Sequence, residues 1–157
     1  MNLARAIHFD ESDRNVFHVP ARTGEWCISG GFEFSNWTEG DLVGKSRQAF
    51  ANGWLGLETF GRVTFAAVTR IEPAEREALV AALADHFVTM HGAPDRAAAW
   101  PVAVQEIDAM VDLCEGVEPN RVMIVARELG EAGVREVFRI LTPRDAELAQ
   151  VAVHGDG

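Results

Sequence analysis

The sequence predicts an α+β domain: a mainly antiparallel β-sheet with helices packed on one face. Three observations predict it. Strand-like segments come in consecutive groups and do not alternate one by one with helices. The two strongest helical patterns follow each other directly, with only a short Gly/Pro turn between them. The last two strand-like runs flank a four-residue glycine-bounded turn, as in a β-hairpin.

The elements follow in order. Residues 3–9 alternate around Ile7 and Phe9 and read as a strand; Asp10 to Asp13 is a turn by composition. Residues 16–19 read as a second short strand closed by Pro20. Residues 25–34 (EWCISGGFEF) alternate at period two, so Trp26, Ile28, Phe32 and Phe34 share a face if Gly30-Gly31 keeps register. That pair equally marks a bulge or a close backbone approach. Residues 41–52 place Leu42, Ser46, Ala49 and Phe50 at near-helical spacing, with Asp41 as N-cap and Gly53 as the stop. Residues 61–71 (GRVTFAAVTRI) form a strand rich in β-branched and aromatic side chains.

Residues 73–91 form a helix begun by Pro73, whose missing N–H costs nothing at the first helical position. Leu79, Leu83, Phe87 and Met90 lie on its apolar stripe, and Gly92 with Pro94 ends it. Asp95 caps a second helix, in which Pro101 either kinks the chain or restarts it. Val104, Ile107, Val111 and Cys114 form its seam. Residues 121–129 and 134–141 are the hairpin strands. The order is therefore βββ-α-β-αα-ββ. Residues 142–157 read as a short helix or a loose tail on a single domain spanning 1–157.

Composition narrows the partners. The chain has 157 residues, 48% hydrophobic and 24% charged, the balance of a globular domain large enough to bury a core without disulfide or metal. Lys and Arg number 14 against 24 Asp and Glu, a net charge of −10. Nucleic-acid binders cluster Lys and Arg against phosphates, and anionic membranes repel an acidic chain, so neither partner is expected. No apolar run resembles a secretory signal or a membrane span. We therefore expect a reducing cytoplasm, with Cys27 and Cys114 as buried thiols, not a disulfide.

The chemistry-bearing motifs are weak. Gly40-Asp-Leu-Val-Gly44-Lys45-Ser46 approaches a phosphate-binding loop, but its gap is three residues and Glu39 stands where glycine should. It reads as a loop entering a short helix with Lys45 exposed. His86 and His91 are five apart on one predicted helix, on different faces, so neither a metal nor another cofactor is expected. Asp108, Asp112 and Glu115 line one helix face and read as its solvated side. No catalytic constellation is present, which favours a non-enzymatic role. The most unusual stretch is residues 52–61 (NGWLGLETFG), where glycines sit among large apolar side chains. It reads first as a helix-to-strand connection filling the core. If a small-molecule pocket exists, Trp26, Trp54, Gly56 and Phe60 are the candidates for its wall.

Three stretches carry a family resemblance: Gly24-Glu25-Trp26 through Phe34, Phe50 through Gly61, and Phe138-Arg139-x-Leu141-x-Pro143-Arg144. They resemble a small uncharacterised bacterial family of unknown function. The resemblance implies a stand-alone cytoplasmic protein and no particular activity, cofactor or catalytic residue. The leading functional expectation is an accessory or protein-interaction domain. The alternatives are a small-molecule binder or enzyme with a Trp/Phe-lined pocket, and a self-associating domain.

Overall fold

The computed structural model describes residues 1–8 and 15–142 of the chain. The sheet has seven strands: β1 (Asn2–Ile7), β2 (Trp26–Ile28), β3 (Trp54–Gly56), β4 (Arg62–Val63), β5 (Phe65–Arg70), β6 (Val122–Gly130) and β7 (Gly133–Leu141). Their spatial order is β4-β3-β2-β1-β5-β6-β7, and every pairing of strands is antiparallel. Helices α1 (Gly44–Asn52), α2 (Pro73–Met90) and α3 (Arg96–Glu115) complete the described chain. The predicted α+β class with an antiparallel sheet is the observed one.

The sheet curls into a half-barrel. One row of side chains runs across it in register: Ala4 beside Cys27 and Val68, Ala6 beside Ala66, and Ala66 beside Met123. These residues are fully buried, in one core with Val80 and Leu83 of α2 and Ala99, Ala103 and Ile107 of α3. Small alanines in the central strands let α3 lie close on β1 and β2, with α2 packed on α3. The curl brings β3 over to β6, where the Trp54 indole N–H donates to the Met123 carbonyl at 3.1 Å.

The αα-hairpin forms as predicted. Pro73 opens α2, and Asp95 caps α3 by accepting from the Ala98 N–H at 2.8 Å. Pro101 sits in the first turns of α3 and does not divide it. The buried stripe of α2 is Val80, Leu83, Ala84 and Phe87; Met90, placed on the stripe by spacing, is 66% exposed at the helix end. Hairpin β6–β7 pairs over its full length, from Val122 opposite Leu141 to Gly130 opposite Gly133.

Other boundaries need correction. Residues 16–19 are not a strand; the segment makes a single parallel bridge, Pro20 with Arg62. The predicted strand 25–34 ends at Ile28, because Gly30 takes a left-handed φ of 68° and turns the chain into a 3-10 helix, Gly31–Phe34. The predicted strand 61–71 breaks at Thr64 into β4 and β5, which β3, β2 and β1 separate in the sheet. Asp41 does not cap α1. It accepts from the Thr38 N–H in a separate 3-10 turn, and Val43 precedes the helix. The observed order is ββ-α-βββ-αα-ββ. The turn predicted at 10–13 and the tail from Pro143 onward lie outside the described residues. No described helix is long and apolar enough to cross a membrane.

Both cysteines are buried free thiols, as expected. Burial, with Glu115 adding to it, pushes the Cys114 thiol up to about 12. Burial, then the Glu25 carboxylate, raises Cys27 as well.

Candidate functional site

The 3-10 turn 31–34 is the junction of the molecule's chemistry, and two buried arginines anchor it. Arg62 of β4 donates to the carbonyls of Ser29 and Gly53 at 3.1 Å and of Gly30 at 2.9 Å, and to Glu33 at 2.7 Å. Arg127 of β6 donates to the Ser29, Phe50 and Gly53 carbonyls at 2.5, 3.0 and 2.7 Å, and to Glu136 of β7 at 2.7 Å. Glu136 also accepts from the Ser29 hydroxyl. Both guanidinium groups lie over the Phe34 ring, at 4.5 and 5.1 Å. Burial depresses the Arg62 pKa to about 10, helped by the neighbouring Arg127, while Glu33 works against the shift. Burial likewise lowers Arg127, against Glu136. Two cations so close and so dry are held by two carboxylates and a set of backbone carbonyls, those of Ser29 and Gly53 accepting from both arginines.

On one side of this turn lies a cavity of about 620 Å³. Its sheet wall is the inward row of β7, Val134, Glu136 and Phe138; across it stand Glu106, Met110 and Leu113 of α3, and Phe32 closes one end. The lining is mainly apolar. Glu106 is half-buried and makes no hydrogen bond or ion pair among the described residues. Burial, then the charge of Glu136, raises its pKa. Gly31 is needed here, since a side chain at that position would meet the Glu136 carboxylate at 2.8 Å.

On the other side is a smaller cavity, about 310 Å³, lined by Glu33, Phe60, Arg62, His91, His18 and Trp37 among others. Glu33 divides its carboxylate there: one oxygen takes the Arg62 bond, and the other lies 3.4 Å from His86 Nε2 and 3.2 Å from His91 Nε2. The Phe60 ring lies flat on the His86 imidazole, 3.8 Å between centroids. Phe60 holds a φ of 55°, in the left-handed region that a bulky residue rarely adopts. Burial alone would raise the Glu33 pKa. The hydrogen bond from His86 and the Arg62 guanidinium outweigh it and hold Glu33 down to about 2.

The four candidate wall residues separate in space. Phe60 lines the smaller cavity. Trp54 is fully buried and stacks on Phe138 at 5.7 Å, one layer behind the larger cavity. Trp26 is half-buried under the Arg5 guanidinium, 4.1 Å from its ring centre. Gly56 lies against the Glu25 carboxylate, which leaves no room for a side chain. That carboxylate accepts from the N–H groups of Glu58 and Thr59, both at 2.9 Å, and ties down the stretch 57–61. Lys45 is exposed. Of the acidic row on α3, Asp108 pairs with Arg76 of α2 at 2.6 Å and Asp112 borders the larger cavity, so neither simply faces water.

The convergence of Glu33, His86 and His91 was not visible in the sequence. Helical geometry separates residues five apart, but α2 ends at Met90 and His91 is its C-cap, with φ −124° and ψ 14°. Leaving the helix swings His91 back beside His86, their rings 5.1 Å apart. The one available signal was local: histidine next to Gly92, where a helix terminates. No curated protein and no solved structure matches the chain. The family comparison agrees with the resemblance read from the three sequence stretches: the chain belongs to a family of unknown function (DUF6505), whose model matches residues 1–157.

Proposed function

We propose that this protein binds a small organic cation, an amine carrying an apolar body, in the larger cavity. The observation that carries the reading is Glu106: a half-buried carboxylate without a partner among the described residues, facing a mainly apolar space of about 620 Å³. A mostly apolar pocket with a few converging polar groups and a perturbed carboxyl is the usual form of a ligand site. The charged groups here are Glu106, Glu136 and Asp112, all acidic, in a chain of net charge −10. Glu136 is committed to Arg127, so Glu106 is the free acceptor. Phenethylamine, 2-phenylethanol and 3-phenylpropionate share one body and differ in head group. Calorimetry should give the amine at least tenfold tighter binding than the alcohol and none for the acid, and Glu106→Gln should erase the preference. Equal binding of amine and alcohol, or an unchanged preference in Glu106→Gln, sinks the reading.

A second reading, contact with another protein chain, keeps the accessory role in play and commits to a second copy of this chain as partner. It is favoured by β7, which ends the sheet with no strand beyond it among the described residues and carries Val137, 57% exposed, on its outward row. A free strand edge alternates donors and acceptors and so complements itself when two copies run antiparallel.

A further inference from the structure

The geometry points to Glu33, His86 and His91 as a binding site for a divalent first-row transition metal, with its open coordination positions facing the smaller cavity. The inference is independent of the amine reading and concerns the opposite side of the 31–34 turn.

The ligand set comes first. Two imidazoles and one carboxylate are the donors that hold zinc and non-haem iron when a position must stay open. One donor atom from each of the three residues lies within 4.8 Å of the others. The Glu33 oxygen is 3.4 and 3.2 Å from the two imidazole nitrogens. With metal–ligand bonds of about 2.1 Å, donor atoms in tetrahedral or octahedral geometry sit roughly 3.0–3.4 Å apart. Both Glu33–imidazole separations match this spacing, and the two imidazole nitrogens, within 4.8 Å of each other, would close on the ion.

Preorganisation comes second. Each ligand is held by something else. The other Glu33 oxygen takes the 2.7 Å bond from Arg62, itself only 7% exposed and locked by backbone carbonyls. The flat stack of Phe60 sets the His86 ring plane, and Phe32 meets the His91 ring edge-on at 5.4 Å. Outer contacts of this kind orient metal ligands and tune their affinity. Phe60 reaches His86 from a left-handed backbone position, a local cost that the rest of the fold must offset.

Access comes third. Glu33 and His91 line the smaller cavity, and His91 is exposed, so an ion has an entry path and room for water or a substrate group. His18 lines the same space. A carboxylate serving only to neutralise Arg62 would not need two imidazole nitrogens aimed at its second oxygen.

The test uses the full, untagged chain freed of metal with a chelator and then titrated with Co²⁺, whose visible bands report its coordination. One Co²⁺ per chain is expected, with bands of an imidazole–carboxylate environment, and Zn²⁺ should displace it. Loss of an outer-shell partner typically weakens a metal site about 10–100-fold, so His91→Ala and His86→Ala should each weaken binding by more than that. His91 caps a helix end in solvent, so His91→Ala should fold, which circular dichroism checks. Absence of a stoichiometric Co²⁺ band, or an equal affinity in His91→Ala and wild type, overturns the inference.

Discussion

At the scale of single residues, the arginines decide most. Arg127 has a side chain with no exposed surface, and it satisfies carbonyls from two separate segments, at Ser29 and at the end of α1, and the Glu136 carboxylate. A surface ion pair contributes about 0–1 kcal/mol, but removing one partner of a buried pair leaves an uncompensated charge and costs about 3–5 kcal/mol. Arg127→Met keeps most of the side-chain volume and removes the cation. It should lower urea-unfolding stability by that amount, because Glu136 then loses its cation, the Phe50 carbonyl loses its Arg127 bond, and the Ser29 and Gly53 carbonyls keep only their bonds from Arg62. A loss below about 1 kcal/mol would show that water takes over those bonds and that the cluster is not a stabilising centre. Glu25 makes the complementary case with negative charge: it is buried, and its neighbours are backbone N–H groups, so it fixes the loop that delivers Phe60. The sequence marks Glu25 only as one polar position in an alternating run.

At the scale of elements, the turn 31–34 does what no strand could. It points Phe32 toward one cavity and Glu33 toward the other, and it depends on Gly30. At φ 68° an alanine is strained, and its Cβ would press on Leu55 and come within 3.1 Å of the Arg62 guanidinium. Left-handed strain costs about 1–2 kcal/mol and overpacking about 1–3 kcal/mol. Gly30→Ala should therefore destabilise the fold by about 2–4 kcal/mol in urea titration; a neutral result would mean that the turn can relax. This junction also marks what the sequence discloses. Elements whose signals are local were legible: the β6–β7 hairpin from its alternation and glycine-bounded turn, α2 from Pro73 and its stripe, α3 from Asp95. The Gly30-Gly31 pair left two outcomes open, and only the fold chooses between continuation and a break. The site was less legible still. Phe60 was a candidate for its aromatic-glycine setting, but Glu33 stands 53 residues from His86, and no periodicity joins them. Residues 61–71 show the same limit: their composition is that of one strand, yet the chain breaks at Thr64 so that β4 pairs with β3 and β5 with β1.

At the scale of the whole molecule, the question is how one acidic chain meets another. A net charge of −10 opposes self-association at every distance inside the screening length. The free edge of β7 acts the other way, offering a nine-residue strand for backbone pairing. Its outward row is Arg135, Val137 and Arg139; Glu128 of β6 pairs with Arg135 at 3.2 Å, so Arg139 is the row's remaining cation on an anionic body. Pairing two such edges sets these arginines near each other and adds to the global repulsion. Both penalties are Coulombic and fall with salt, whereas backbone hydrogen bonds and burial of Val137 do not. The screening length shrinks from about 30 Å at 0.01 M salt to about 3 Å at 1 M. The protein should therefore be monomeric at low salt and shift toward dimer as salt rises, with Val137→Lys holding it monomeric throughout. Multi-angle light scattering across that range decides it. A monomer at every salt concentration and at high protein concentration would exclude the β7 edge as a contact between copies. A dimer that dissociates as salt rises would show that attraction between opposite charges drives assembly, and would place the interface elsewhere.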